Sequence, residues 1–171
     1  MVMQFAYVSL AAAALVVTGV AYRFLFPRPR YIEAMKRKFV HEVIQLVQSA
    51  KGRSEKINIL HTNMGSGLAG ILKMNFDQQF ELDVDIDMTY RPRQERDTLD
   101  TLDHSSKVWV TFTNQSKMDL VRKNHRFRCM LESLEPREAQ LFLQAAKKQI
   151  KLGVSKLTLT KCFPQIFRNN N

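Results

Sequence analysis

An uncharged apolar run near the N-terminus restricts this chain more than any other feature. The run covers Phe5 to Tyr22 (FAYVSLAAAALVVTGVAY), and its most polar members are Ser9 and Thr18. A membrane-spanning helix needs roughly 20 mostly apolar residues, a length that the run reaches together with the apolar residues 24–26. The sequence therefore predicts one transmembrane helix. A cleaved signal peptide and a buried core helix are the alternatives, but a signal peptide has its basic residues before the apolar run.

The distribution of charge around this run predicts its orientation. The first 22 residues carry no charged side chain, whereas residues 23–38 carry one acid, Glu33, and a series of bases. These bases are Arg23, Arg28, Arg30, Lys36, Arg37 and Lys38. By the positive-inside rule, the C-terminal part lies in the matrix or cytoplasm and the N-terminus on the opposite side. We also expect these bases to contact anionic lipid headgroups, at about 1 kcal/mol each.

Small residues within the predicted span suggest that it packs against other membrane helices. Helices in lipid associate where small side chains allow their backbones to approach closely. Ala11, Ala14 and Gly19 are the candidate positions for such packing.

The remaining chain has the size of one globular domain. We divide the 171 residues into a membrane anchor with a basic juxtamembrane turn, residues 1–30, and a basic, mainly helical domain, residues 31–171. The net charge of +10 indicates an anionic neighbour, which is a lipid surface, an acidic protein face or nucleic acid. Cys129 and Cys162 have no metal-ligand spacing, and we expect free core thiols in a reducing compartment.

Hydrophobic periodicity predicts that this domain is mainly α-helical. Apolar residues at helical spacing in Tyr31 to Ala50 predict an amphipathic helix that packs into the core, or alternatively lies on the membrane. Further helices are expected to follow Ser54, to include the sole tryptophan Trp109 as a core anchor, and to begin at Ser116, Pro136 and Ser155. In the helix capped by Ser116, the pattern places Leu120 and Val121 inside and Lys123 outside.

One segment has the alternation of a β-strand. Phe80 to Met88 (FELDVDIDM) places apolar residues on one face and Glu81, Asp83, Asp85 and Asp87 on the other. Such a row of carboxylates is a candidate for Mg²⁺ or Ca²⁺ binding, but it forms a flat line and not a chelating cage. We therefore expect a solvated or partner-facing edge, or a face that docks the chain's own basic helices.

The segment Gly65 to Gly70 matches the dinucleotide-binding pattern GxGxxG. A dinucleotide turn should directly follow a buried strand, whereas His61, Thr62 and Asn63 separate it from the preceding apolar residues. We interpret the segment as a glycine-rich turn that opens a helix. Because His41, His61, His104 and His125 are scattered and stand near no nucleophile motif, the sequence predicts no catalytic, cofactor-binding or metal-binding residue.

Four segments carry a resemblance to a known family. They are Ser54–Leu60, Gly70–Asp77, Met130–Ala139 and Gly153–Ile166. In this order they resemble successive blocks of a small uncharacterised family of T4-type tailed phages, over roughly residues 50–167. The resemblance implies no catalytic residue and does not include the N-terminal anchor.

Together, these features favour a non-catalytic, single-pass accessory subunit of a larger membrane protein complex. A small basic chain with one anchor and no catalytic motif is typical of the respiratory and ATP-synthase machinery of the mitochondrial inner membrane, which is the location that we favour. Its partners would be other subunits and anionic lipids. The alternative is a membrane-tethered nucleic-acid-binding protein, which is disfavoured because few aromatic residues stand among the bases.

Overall fold

The computed structural model describes residues 38–92 and 100–168, and this part of the chain is mainly helical, as predicted. Its helices are α1 (Val40–Ser49), α2 (Arg53–Thr62), α3 (Ser66–Phe76), α4 (Leu102–Ser105), a 3₁₀-helix (Ser106–Phe112), α5 (Leu120–Ser133), α6 (Pro136–Ala146), α7 (Lys156–Cys162) and α8 (Pro164–Phe167). None of the helices in the described ranges is long and apolar enough to cross a membrane. The predicted span Phe5 to Tyr22 lies outside these ranges.

Helix α1 contributes the wall of the core that its periodicity predicts. Val40, Val43, Ile44 and Val47 are buried, whereas Leu46 remains 39% exposed on the outer side. An amphipathic helix in a globular chain turns its apolar stripe inward in this way. The expectation that this helix packs into the core is therefore confirmed for residues 40–49.

Aromatic side chains hold the centre of the fold together. Trp109, 3% exposed, meets the ring of Phe142 edge-on with centroids 4.9 Å apart. Phe127 contacts the rings of both Phe142 and Phe112, at 5.8 Å and 5.4 Å between centroids. These contacts join the 3₁₀-helix, α5 and α6, and they confirm Trp109 as a core anchor.

The predicted strand at residues 80–88 does not form. Within the described part of the chain there is no β-strand, and this segment makes one isolated antiparallel bridge, between Leu82 and Thr113. The predicted faces are nevertheless present, because Phe80, Leu82, Val84 and Met88 pack against the core while the acidic side chains between them are exposed. A strand requires a neighbouring strand for its backbone groups, and the backbone N–H of Asp85 instead donates to the side chain of Asn124 on α5.

Helix α5 begins later than predicted. Its N-cap is Asp119, whose carboxylate accepts a hydrogen bond from the backbone N–H of Arg122, and not Ser116. The first turn therefore projects from the core, so the prediction that Leu120 and Val121 are buried is wrong: they are 53% and 79% exposed. The predicted starts at Pro136 and after Ser155 are confirmed.

Candidate functional site

The GxGxxG segment opens α3, and a carboxylate from the same chain occupies the helix start. The backbone N–H of Gly67 donates to Oδ1 of Asp103 at 2.7 Å, and Ser66 Oγ donates to the Asp103 carbonyl oxygen at 3.0 Å. A helix N-terminus attracts anions because its N–H groups and macrodipole carry positive charge. Here Asp103 supplies that anion at the place where a nucleotide phosphate would bind.

Close packing explains the glycines of this segment. A Cβ on Gly67 would lie 2.6 Å from the backbone nitrogen of Asp103, and a Cβ on Gly70 would lie 2.3 Å from the ring of Trp109. The preceding apolar residues belong to helix α2 (Arg53–Thr62) and not to a strand. The glycines thus bring α3 against α4 and the 3₁₀-helix, in agreement with a glycine-rich turn that opens a helix.

The acidic face of residues 81–87 binds basic side chains of the domain itself. Lys123 Nζ lies 2.6 Å from Oδ2 of Asp83, and Lys147 Nζ lies 2.5 Å from Oδ1 of Asp87. For Asp83 and Asp87, this confirms the expectation that the acidic face docks the chain's own basic helices. Among the described residues, no group of three or more histidine, cysteine or acidic side chains has an arrangement that could hold a metal ion.

Lys123 is a structural residue, and the prediction that it lies on the outer side of its helix is wrong. Its side chain is 2% exposed, and Nζ donates to the carbonyl oxygen of Thr113 at 3.0 Å as well as to Asp83. A buried ammonium needs such partners because the loss of water around a charge is costly. Lys123 therefore connects α5 to both the 3₁₀-helix and the acidic segment.

Glu138 is a buried carboxylate that joins the starts of two helices. It is 0% exposed; its Oε1 accepts from the backbone N–H of Val40 at 2.6 Å, and its Oε2 accepts from that of Leu102 at 2.7 Å. Burial raises the pKa of Glu138, and the hydrogen bonds from Leu102, Val40 and His41 act in the opposite direction. The residue holds the N-termini of α1 and α4 against α6.

His41 lies beside this carboxylate and is 7% exposed. Its Nδ1 is 3.6 Å from Oε2 of Glu135 and 3.8 Å from Oε1 of Glu138, and it has no hydrogen-bond partner within the described part of the chain. The ring stacks on Phe39, with centroids 5.6 Å apart. No nucleophilic side chain takes part in these contacts, which place His41 at the junction of α1 and α6.

Lys148, an exposed residue, forms a further polar connection. Its Nζ donates to the carbonyl oxygens of Met74, of Asp77 at 2.7 Å and of Phe80 at 2.9 Å. Burial lowers the pKa of Lys148, and the nearby carboxylate of Asp77 partly offsets this effect. The ammonium satisfies carbonyl groups at the end of α3, where a helix attracts positive charge.

The remaining histidines and both cysteines lie at the surface. His104 Nδ1 is 2.7 Å from the Asp100 carboxylate, and His125 Nε2 is 3.8 Å from the Cys129 sulfur, one turn away on α5. The prediction that Cys129 and Cys162 lie in the core is wrong, because both free thiols are exposed. Each occupies a position of its helix that points away from the apolar core.

Most of the residues predicted to contact lipid headgroups, and all of those predicted to pack in the membrane, lie outside the described ranges. The lipid-contact residues outside them are Arg23, Arg28, Arg30, Lys36 and Arg37, and the packing residues are Ala11, Ala14 and Gly19. Lys38 is described, and its exposed side chain lies at the start of α1. It lines a shallow, open depression along the outer side of α1, together with Glu42, Gln45, Leu46 and Ser49.

The outer side of α5 is the most conspicuous uncovered surface of the described domain. We define the free face of α5 as Val121, Arg122, His125, Arg126 and Arg128, all of which are exposed. Among the described residues, Arg122 forms an ion pair with the capping Asp119, with Nε 3.3 Å from Oδ2, whereas Arg126 and Arg128 form no ion pair. This face therefore combines uncompensated positive charge with an exposed aliphatic side chain.

Comparison of the chain with protein families, with curated proteins and with solved structures finds no match. The resemblance to a phage family therefore stays a prediction, and the structure itself is the basis for proposing a function.

Proposed function

We propose that this protein is a non-catalytic accessory subunit of a larger membrane protein complex. A single N-terminal span attaches it, and the helical domain, in the matrix or cytoplasm, contacts other subunits. The mitochondrial inner membrane, with its respiratory and ATP-synthase complexes, is the host membrane that we favour. The attachment is supported by the apolar run Phe5 to Tyr22 and by the basic residues that follow it.

The observation that carries the proposal is how the domain uses its buried polar groups. The buried Glu138 and Lys123 each bind backbone groups or a carboxylate of another segment of the same chain, and the exposed Lys148 binds backbone carbonyl groups in the same way. Asn75 does the same, since its amide exchanges two hydrogen bonds of 3.0 Å with the backbone of Ile150. Buried charges at an enzyme active site face a cleft, whereas these groups connect the helices to one another.

The exposed apolar residues support a binding role. Val108, Val110, Leu120 and Val121 are between 44% and 79% exposed, and all lie in the 3₁₀-helix or the first turn of α5. The two elements are adjacent, because Phe112 and Phe127 are in ring contact. We take these side chains as candidate contact residues, because exposed apolar side chains that form a contiguous patch typically mark a contact with another molecule.

Extraction in a mild detergent, followed by a native gel and mass spectrometry, tests the proposal. We expect the full-length chain to migrate within a large complex and to become extractable by carbonate when residues 1–26 are deleted. Gly19→Leu should leave membrane insertion intact and weaken association, because it adds bulk at the predicted packing face. Migration as a single chain of 19.9 kDa in its micelle, unchanged by Gly19→Leu, would contradict an accessory-subunit role.

A shift assay with nucleic acid tests the alternative function. A nucleic-acid-binding protein would bind near physiological salt and lose affinity by orders of magnitude between about 50 and 200 mM salt, because phosphate contacts release counterions. We expect no such binding, and tight binding would favour the alternative.

A further inference from the structure

Helix α5 already binds one acidic segment, and that contact shows what kind of ligand suits the helix. The segment 80–91 lies along one side of α5 with its apolar residues against the core. On that side, Lys123 pairs with Asp83 at 2.6 Å, and Asn124 Oδ1 accepts from the backbone N–H of Asp85 at 2.9 Å. Glu132 Oε1 accepts from the backbone N–H of Arg91 at 3.3 Å. The contact thus combines one ion pair to an acidic side chain with two hydrogen bonds from the backbone of the segment.

The free face of α5 offers similar chemistry without an occupant from the described part of the chain. Val121 is 79% exposed, and the arginines around it form one ion pair with the described residues, between Arg122 and the Asp119 carboxylate. That carboxylate also caps the helix by accepting from the backbone N–H of Arg122 at 3.0 Å, so it compensates little of the arginine charge. The chemistry that fits this face is an anionic group next to an apolar one.

We propose that the free face of α5 docks an acidic, amphipathic polypeptide segment of another subunit. This inference rests on the proposed function and names the class of partner. Arginine binds carboxylates through a planar pair of donors, and Val121 would pack against an aliphatic side chain of the same segment. A nucleic-acid backbone would offer Val121 no apolar contact.

Site-specific photocross-linking in membranes that contain the full-length chain tests this docking. A photoreactive amino acid at Val121 should form cross-links to a peptide that mass spectrometry assigns to another protein. That peptide should carry net negative charge and apolar residues. The double variant Arg122→Glu/Arg126→Glu should lower the cross-linking yield by about tenfold, because two attractive contacts become repulsive.

Matched controls separate this effect from a general loss of charge. The same photoreactive residue at exposed Gln140 on α6 should not cross-link to that peptide. The variant Lys51→Glu/Lys161→Glu changes the net charge equally at two other exposed positions and should leave the yield unchanged. Equal yields for both double variants would overturn the proposal.

The identity of the cross-linked molecule gives the remaining outcomes. Cross-links from Val121 to lipid, to nucleic acid or to a second copy of this chain would each overturn the acidic-segment proposal. A native gel that retains the large complex while Val121 forms no cross-link would refute this docking site and leave the proposed function standing. Absence of any complex on that gel would refute the proposed function itself.

Discussion

Substitution of Glu138 by alanine should strongly destabilise the domain. The change removes the acceptor of two short hydrogen bonds, from the backbone N–H of Val40 at 2.6 Å and of Leu102 at 2.7 Å, in a site with no solvent exposure. Each buried N–H left without a partner costs about 1–3 kcal/mol. Relief from burying a carboxylate offsets part of this loss, so we expect the free energy of unfolding to fall by about 3 kcal/mol.

The variant Glu138→Gln should be milder and should remove a pH dependence. Its amide keeps the volume and one acceptor but leaves one of the two backbone N–H groups without a partner, so we expect a loss of about 1–2 kcal/mol at neutral pH. Burial raises the pKa of Glu138 above the ordinary value of 4.5. The folded protein therefore binds the proton more readily than the unfolded chain, and wild-type stability attributable to this group falls as pH rises from near 4.5 through the raised pKa. Above the raised pKa it stays constant.

Urea unfolding of the full-length protein in detergent, followed by circular dichroism between pH 4 and pH 8, measures both effects. The wild-type minus Glu138→Gln difference isolates the titration of this one carboxyl. Glu132→Ala is the matched control, because Glu132 accepts a single exposed hydrogen bond of 3.3 Å and should change stability by less than about 0.5 kcal/mol. If Glu138→Ala cost no more than this control, the role of Glu138 as a helix connector would be refuted.

Three further predictions concern packing, a buried charge and exposure. Gly70→Ala should lower the free energy of unfolding, because the added Cβ would lie 2.3 Å from the ring of Trp109. We expect a net loss of about 1–2 kcal/mol after the better helix propensity of alanine is included. Gly52→Ala is the control and should cost well under about 1 kcal/mol, because the added Cβ would have no atom nearer than 3.9 Å. Lys123→Met should cost about 1–3 kcal/mol, because it leaves a buried carbonyl oxygen and Asp83 without their donor, and substitution of an exposed arginine of α5 is the control. Both free cysteines should react with a thiol reagent in the folded protein without denaturant, and protection of either would contradict their exposure.

Local sequence patterns predicted helices and faces well where local chemistry decides them. Proline at the first position of α6 and the Ser155 N-cap of α7 are signals that act within one turn. The apolar face of Phe80 to Met88 was also correct, because alternation depends only on which side of the backbone each residue occupies. The strand itself did not form, since a β-ladder requires a partner strand and periodicity does not report whether one exists.

The connecting side chains escaped prediction because their partners are remote in sequence. Glu138 binds the start of α1, which is 98 positions away, and Asp103 binds Gly67, which is 36 positions away. Viewed locally, Glu138 is an ordinary acid in the first turn of a helix and Lys123 is one base among several on α5. The only available signal was the row of acids after Phe80, which required counter-charges but did not indicate which lysines supply them.

The positions of the connecting charges follow from the shortness of the helices. The longest helix among the described residues has 14 residues, and isolated helices of this length are marginal in water. Their ends carry backbone groups that the helix itself leaves unpaired. Acids lie at helix starts, as Glu138 and Asp103 do, and Lys148 lies at a helix end, which is the arrangement that the helix dipole favours.

This arrangement gives the shifted pKa values of Glu138 and Lys148 a structural meaning. Titratable groups with shifted pKa values in a cleft suggest catalysis. Here the Glu138 carboxylate and the Lys148 ammonium are instead hydrogen-bonded to backbone groups of other segments. Protonation of Glu138 would act first on its acceptor contacts at Val40 and Leu102, and Val40 begins the helix that follows the N-terminal segment in sequence. Protonation of Glu138 would therefore affect the start of α1 through the hydrogen bond that Val40 donates.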